Sequence, residues 1–161
     1  MKKFLIVFLI FMGLAGIAYA GAPKVNDKAP DFSVTSTAGE KLTLSAQKGK
    51  VVLMGMFHIC VPCMNQALEF EKIRNKMKRD DLVIIGVNTN GDSKADVMDY
   101  LSKFPSAVHF PYYLDPETTM AKAYVQRDMP TVVIIDKEGV IRSRSSSMGA
   151  EQLIQILNKL F

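Results

Sequence analysis

Phe57-His58-Ile59-Cys60-Val61-Pro62-Cys63 is the stretch on which the reading of this chain turns. It holds both cysteines of the 161-residue sequence, three positions apart. The apolar run Val51 to Met56 enters it, and a run of helical period from Met64 to Met77 leaves it. A Cys-x-x-Cys placed where a strand becomes a helix suits redox chemistry. The first thiol then sits at the helix N-terminus, where unpaired N–H groups and the helix dipole favour a thiolate. The second lies one turn on, close enough to attack a mixed disulfide formed at the first.

The compartment is read from the N-terminus. Lys2 and Lys3 form a basic start, Phe4 to Ala18 an apolar run, and Ala18-Tyr19-Ala20 a small-residue cleavage site. A signal peptide over 1–20 is expected, with the mature domain over 21–161. The alternative is an uncleaved anchor, since 4–22 is about the minimum length of a membrane span. Either way the domain is exported, to the periplasm or the outer face of the cytoplasmic membrane. No cysteine follows the apolar run, which excludes a lipoprotein anchor. In an exported chain, two cysteines make no disulfide framework. A pair closing so small a loop also constrains the unfolded chain little, so a redox couple explains it better than a staple.

Charge narrows the partners. Two of the twenty basic residues, Lys2 and Lys3, lie in the leader, so the net charge of +4 falls to +2 on the mature chain. Nothing in that dilute distribution reads as a nucleic-acid footprint. Arg142 and Arg144 with Ser145 to Ser147 read as an exposed edge strand and loop.

Outward from the cysteines, Asp31 to Thr35 and Lys41 to Leu44 flank a Gly39 turn and predict a hairpin. Val51–Phe57 is apolar on both faces, as a central strand covered by helices would be, and Leu82–Val87 and Thr131–Ile135 read as two further buried strands. Pro62 falls in the first turn of the helix after Cys60, where a missing N–H does no harm. Met64, Ala67, Leu68, Ile73 and Met77 are expected to face inward. Ser93 caps a helix from Lys94 to about Phe104 with Val97, Met98 and Leu101 inward. A short strand over Phe110–Leu114, a short helix from Asp115 or Thr118, a strand over Val140–Ser143 and a closing helix over Ala150–Leu160 complete an α/β sandwich with a mixed central sheet.

The order Pro30-Asp31-Phe32, Gly39, Leu42 and Leu44, Lys48-Gly49-Lys50-Val51-Val52-Leu53, the Cys60–Cys63 pair, then Met129-Pro130-Thr131 before a strand ending at Asp136 resembles the exported thioredoxin-like proteins of the TlpA/ResA type. The resemblance spans nearly all of the mature chain. It implies a thioredoxin-like α/β fold with an N-terminal β-hairpin and an inserted helix and strand between about Ser93 and Leu114. It implies that Cys60 is the exposed nucleophile and Cys63 the resolving thiol. It also implies a cis Met129–Pro130 bond packed against the disulfide, with the Met129 backbone free to pair with a substrate strand.

Three positions depart from the pattern. Ile59 stands where the family usually has Trp, and the chain has no Trp. Met54 stands where thioredoxin has a buried Asp, so any proton acceptor for Cys63 must come from elsewhere. His58 is the third: as an imidazolium it would lower the pKa of Cys60, while a solvent-facing or packed ring is the plainer reading. Asp92 lies roughly where members of that family place an acidic residue near the site; the plainer reading is a turn aspartate. Cys60 and Cys63 are thus the candidate catalytic pair, supported by Pro130, Pro62, His58 and Asp92. Ile59, Val61, Met129 and Thr131 are the candidate substrate contacts.

The expected activity is thiol–disulfide exchange with exported disulfide-containing proteins, needing no bound cofactor or metal beyond the Cys60–Cys63 couple. The resemblance implies a membrane thiol–disulfide carrier as electron donor and a role as reductant in cytochrome c maturation. Val61-Pro62 lacks the His that helps make strong oxidants, which also favours reduction. A monomer is expected. Two alternatives stand beside this reading. One is copper delivery, for which Met54, Met56, Met64 and Met129 would join the thiols and His58 as soft ligands, against their use as core filler. The other is a redox-independent binding module built on the apolar surface around Ile59 and Pro130. Peroxidase chemistry is disfavoured, because Phe57 stands where a peroxiredoxin needs Thr.

Overall fold

The computed structural model describes residues 21–161. The expected signal peptide, and its alternative as an uncleaved anchor, lie outside the described residues. Strands β1 (Ser33–Ser36) and β2 (Lys41–Thr43) form the predicted hairpin, turning at Gly39, whose φ of 93° a side chain would resist. Leu44–Gln47 continues as a single 3-10 turn, capped by the Asp31 carboxylate, which accepts the Ser45 N–H at 2.9 Å. Then follow β3 (Val51–Phe57), α1 (Val61–Lys76), β4 (Leu82–Asn88), α2 (Lys94–Ser102), β5 (Tyr112–Leu114), α3 (Thr119–Ala123), β6 (Thr131–Ile135), β7 (Ile141–Ser145) and α4 (Ala150–Leu157).

The seven strands make one sheet in the order β2-β1-β5-β4-β3-β6-β7. β4 pairs in parallel with both β3 and β5, and every other pairing is antiparallel. The sheet is therefore mixed, with β4 at its centre and β3 between β4 and β6. All seven residues of β3 are buried, which is why that strand shows no polar alternation. Its side chains still alternate between faces. Val51, Leu53 and Phe57 join Cys63, Phe70, Val97 and Leu153 beneath α1, α2 and α4. Val52, Met54 and Met56 join Phe32, Leu44, Met120 and Tyr124 on the other face.

That alternation corrects one expectation. Met54 and Met56 pack on the face away from Cys63, so they are core residues and not neighbours of the thiols. A second correction concerns α2. Met98 is 48% exposed, while Val97 and Tyr100 are the buried positions. The helix is turned so that a phenol, not a thioether, faces inward. In α1, Ala67 and Ile73 are buried as expected, but Met64, Leu68 and Met77 are only half-buried. Phe70 and two polar residues, Gln66 and Glu71, complete the buried stripe. The polar pair is tolerated because both side chains are satisfied. Gln66 bonds the N–H and C=O of Met148, and Glu71 accepts from the His109 N–H and Arg74. α3 starts at Thr119 because the Asp115 carboxylate accepts the N–H groups of Thr119, Met120 and Ala121.

Candidate active site

The site is built at the C-terminal end of β3. The strand stops at Phe57 and α1 starts at Val61, leaving Cys60 as the N-cap in extended conformation (φ −155°, ψ 156°). The Cys60 sulfur accepts the Cys63 N–H at 3.3 Å, the bond a capping side chain makes to the first turn. Pro62 lies in that first turn and forfeits no helical hydrogen bond there. A negative charge on Cys60 would therefore meet both a backbone donor and the positive end of a helix of sixteen residues.

The two sulfurs are not equivalent. Cys60 is half-buried, whereas Cys63 is 0% exposed. The sulfurs lie 2.7 Å apart. Burial pushes the Cys63 thiol up to about 12, and its hydrogen bond to Cys60 adds to the shift. The His58 N–H, which meets the Cys63 sulfur at 3.3 Å, works the other way. Cys63 is therefore held as the neutral thiol at neutral pH.

His58 thus serves through its backbone. Its ring lies partly buried, and burial lowers its pKa, opposed in part by the negative charge of Asp92. The neutral ring is favoured, so the imidazolium role weighed for His58 is disfavoured by its own surroundings, in line with the plainer reading of a packed ring. Asp92 is also tied elsewhere. Its carboxylate accepts from the Asn88 side chain at 2.8 Å and from the Asn90 side chain at 3.0 Å, and its N–H donates to the Asn88 side-chain oxygen at 3.2 Å. It braces the loop between β4 and α2, and among the described residues no hydrogen bond joins it to Cys63.

The Met129–Pro130 peptide is cis. Pro62, Met129 and Pro130 line one groove, with Gln66 and Met148 along it. Five large apolar side chains stand exposed among the described residues, and three of them, Ile59, Val61 and Met129, surround this end of the molecule. Thr131, expected beside them, is 2% exposed and donates its hydroxyl to the Asp128 carbonyl at 2.7 Å. It shapes the proline loop and offers nothing to a partner.

Several residues that sequence reasoning missed hold the site together. Tyr100 reaches from α2 to donate its hydroxyl to the Cys60 carbonyl at 2.6 Å. Gln126 donates to the Met56 and Asp128 carbonyls and accepts from the Thr89 hydroxyl at 2.6 Å. Thr89 donates its N–H to the Phe57 carbonyl at 3.0 Å. The end of β3 is thereby pinned to the proline loop. A polar residue in each neighbouring loop was the available signal, but which carbonyl each one meets depends on tertiary placement.

A mixed sheet of this order, with a thiol pair of unequal burial at the strand-to-helix junction and a cis proline sharing a groove with Pro62, defines a thiol–disulfide oxidoreductase of thioredoxin-like fold. The chain belongs to the Redoxin family, whose profile matches residues 24–149. It is 27% identical over 164 residues to the thiol-disulfide oxidoreductase ResA of Bacillus thuringiensis subsp. konkukian, covering 96% of this chain and 93% of that protein. It is 32% identical over 116 residues to the thioredoxin-like protein YneN of Bacillus subtilis, covering 71% of this chain and 67% of that one. Among solved structures it is similar to a Chlorobium tepidum protein assigned as thiol:disulfide interchange protein DsbE. That match has a TM-score of 0.76 and 25% identity over 86% of this chain and 99% of the other.

Proposed function

We propose that this chain is an exported reductant of protein disulfides. The observation that carries the reading is the asymmetry of the two sulfurs: Cys60 accessible at a helix N-cap, Cys63 fully buried and holding its proton. The Cys60 thiolate attacks a substrate disulfide and forms a mixed disulfide. Cys63 then displaces the reduced substrate and leaves the Cys60–Cys63 disulfide. The electrons come from the dithiol itself, so the cycle needs no bound cofactor. The exposed Ile59, Val61 and Met129 give a protein substrate an apolar surface on which to dock.

Export rests on the sequence: Lys2 and Lys3, the apolar run from Phe4 to Ala18, and the Ala18-Tyr19-Ala20 site. In an oxidising compartment the spent disulfide must be re-reduced, and a membrane thiol–disulfide carrier is the donor we assign to that step. The similarity to a ResA and to a DsbE supports a place in cytochrome c maturation. Insulin reduction with dithiothreitol as donor tests the activity. Wild type should turn over and Cys60→Ser should not. Turnover retained in Cys60→Ser, or an inactive wild type that binds Cu(I) tightly, would remove the reading.

A further inference from the structure

Granted the thiol–disulfide exchange proposed above, Cys63 must lose its proton before it can attack, and burial opposes that loss. The neighbouring polar groups are committed elsewhere. Asp92 is held by Asn88 and Asn90, both ends of the Gln66 amide are taken by Met148, and Tyr100 gives its hydroxyl to the Cys60 carbonyl. Tyr112 is not committed. It is 4% exposed, and its hydroxyl is buried without a hydrogen-bond partner among the described residues. A buried phenol ordinarily finds a partner, and one left without is destabilising.

The backbone explains how this phenol comes to be buried in the cluster that holds Cys63. On adjacent strands Gly55 pairs with Gly86, and Gly86 pairs with Tyr112. A Cβ at Gly86 would stand 2.9 Å from Cε2 of Tyr112 and 3.1 Å from Cε2 of Phe57. A Cβ at Gly55 would stand 2.1 Å from Cζ of Phe57. The glycines leave the room that the two rings fill, with centroids 5.9 Å apart. Tyr112 thereby joins the apolar cluster that contains Cys63. Burial first, then Tyr100, Cys63, Cys60 and Asp92, raise its pKa, so it remains a protonated donor.

We propose that the Tyr112 hydroxyl is the donor that hydrogen-bonds the Cys63 sulfur as it becomes a thiolate, so that Tyr112 supports the second step of exchange. An uncharged donor suits the place, because thiol and phenol are both neutral at rest and no buried charge waits unpaired. In the step itself the Cys63 thiolate attacks the Cys60 sulfur of the mixed disulfide. The Cys60–Cys63 bond forms and the bond from Cys60 to the substrate sulfur breaks. Its electron pair leaves on the substrate sulfur, and the proton from Cys63 goes to that sulfur or to water.

Tyr112→Phe keeps the ring and removes the hydroxyl alone. Reduced protein mixed with the aromatic disulfide DTNB separates the two steps. Attack by Cys60 releases one nitrothiobenzoate, and resolution by Cys63 releases the second. In Tyr112→Phe the first release should be unchanged. The second should slow about tenfold or more at neutral pH and recover as pH rises, since a hydrogen bond to a charged group has been lost. Thermal stability should not fall. His58, whose N–H meets Cys63, and Tyr100, Cys60 and Asp92, which raise the pKa of Tyr112, are unchanged between the two proteins, so a shifted pH profile of the second release reports the phenol. An unshifted profile overturns the proposal, and so does a slowing of both releases with lost stability, which would make Tyr112 structural. A wild type that never releases the second nitrothiobenzoate would instead remove the exchange reading itself.

Discussion

The hydroxyl of Tyr100 donates to the carbonyl oxygen of Cys60 at 2.6 Å, so α2 as well as α1 fixes the first cysteine. The same carbonyl accepts the Met64 N–H at 3.0 Å as part of the helix. Removing the phenol hydroxyl therefore does not orphan it. Tyr100→Phe should lower stability by about 1 kcal/mol, the net worth of one hydrogen bond. In urea unfolding this appears as a lower midpoint with an unchanged slope.

Gly55 faces a harder limit. Phe57 is flanked by Phe70 at 5.8 Å and Tyr112 at 5.9 Å between ring centroids, so it cannot swing away from a methyl group placed 2.1 Å from its Cζ. Gly55→Ala overpacks the centre of the sheet. A loss of about 1–3 kcal/mol or more is expected, read as a lower thermal midpoint.

Gln126 joins three chain segments through the Met56 and Asp128 carbonyls and the Thr89 hydroxyl. Gln126→Ala takes a donor from the carbonyl of buried Met56 and an acceptor from the buried Thr89 hydroxyl, a cost of about 1–3 kcal/mol. Amide exchange should quicken in the Asp128–Thr131 loop before it does in the strands, which locates the effect at the proline loop.

The alkaline stability of the reduced protein carries the signature of Cys63. Its folded pKa is raised, from an ordinary 9.0 to about 12, because burial favours the neutral thiol. The stability it contributes is fully present below the unfolded value and is lost as pH climbs through the folded one. Reduced wild type should therefore lose more stability than reduced Cys63→Ala between pH 9 and 12. Parallel denaturant midpoints across that range measure the difference.

β3, β4 and β6 are legible in the sequence because a strand covered on both faces needs an unbroken apolar run, and Val51–Phe57, Leu82–Val87 and Thr131–Ile135 supply one each. The same property hides which face each residue takes. Only the pairing and the helices above it separate Met54 from Phe57. The cysteines declare themselves by spacing and by Pro62. Tyr100, Tyr112 and Gln126 do not, since each acts through a group forty or more residues away or on another strand. α2 has only nine residues, too few for its apolar positions to fix a phase, and so Met98, expected inward, stands exposed while Tyr100 is buried.

Trapping tests the division of labour between the two cysteines most directly. Cys63→Ala, exposed to exported protein substrates or to intact, disulfide-bonded insulin, should accumulate a mixed disulfide through Cys60. Mass spectrometry of the tryptic peptide should find Cys60 bonded to the substrate cysteine, and Cys60→Ala should yield no such adduct. An adduct on Cys63 in the Cys60→Ala protein, formed as fast as the one on Cys60, would contradict the account.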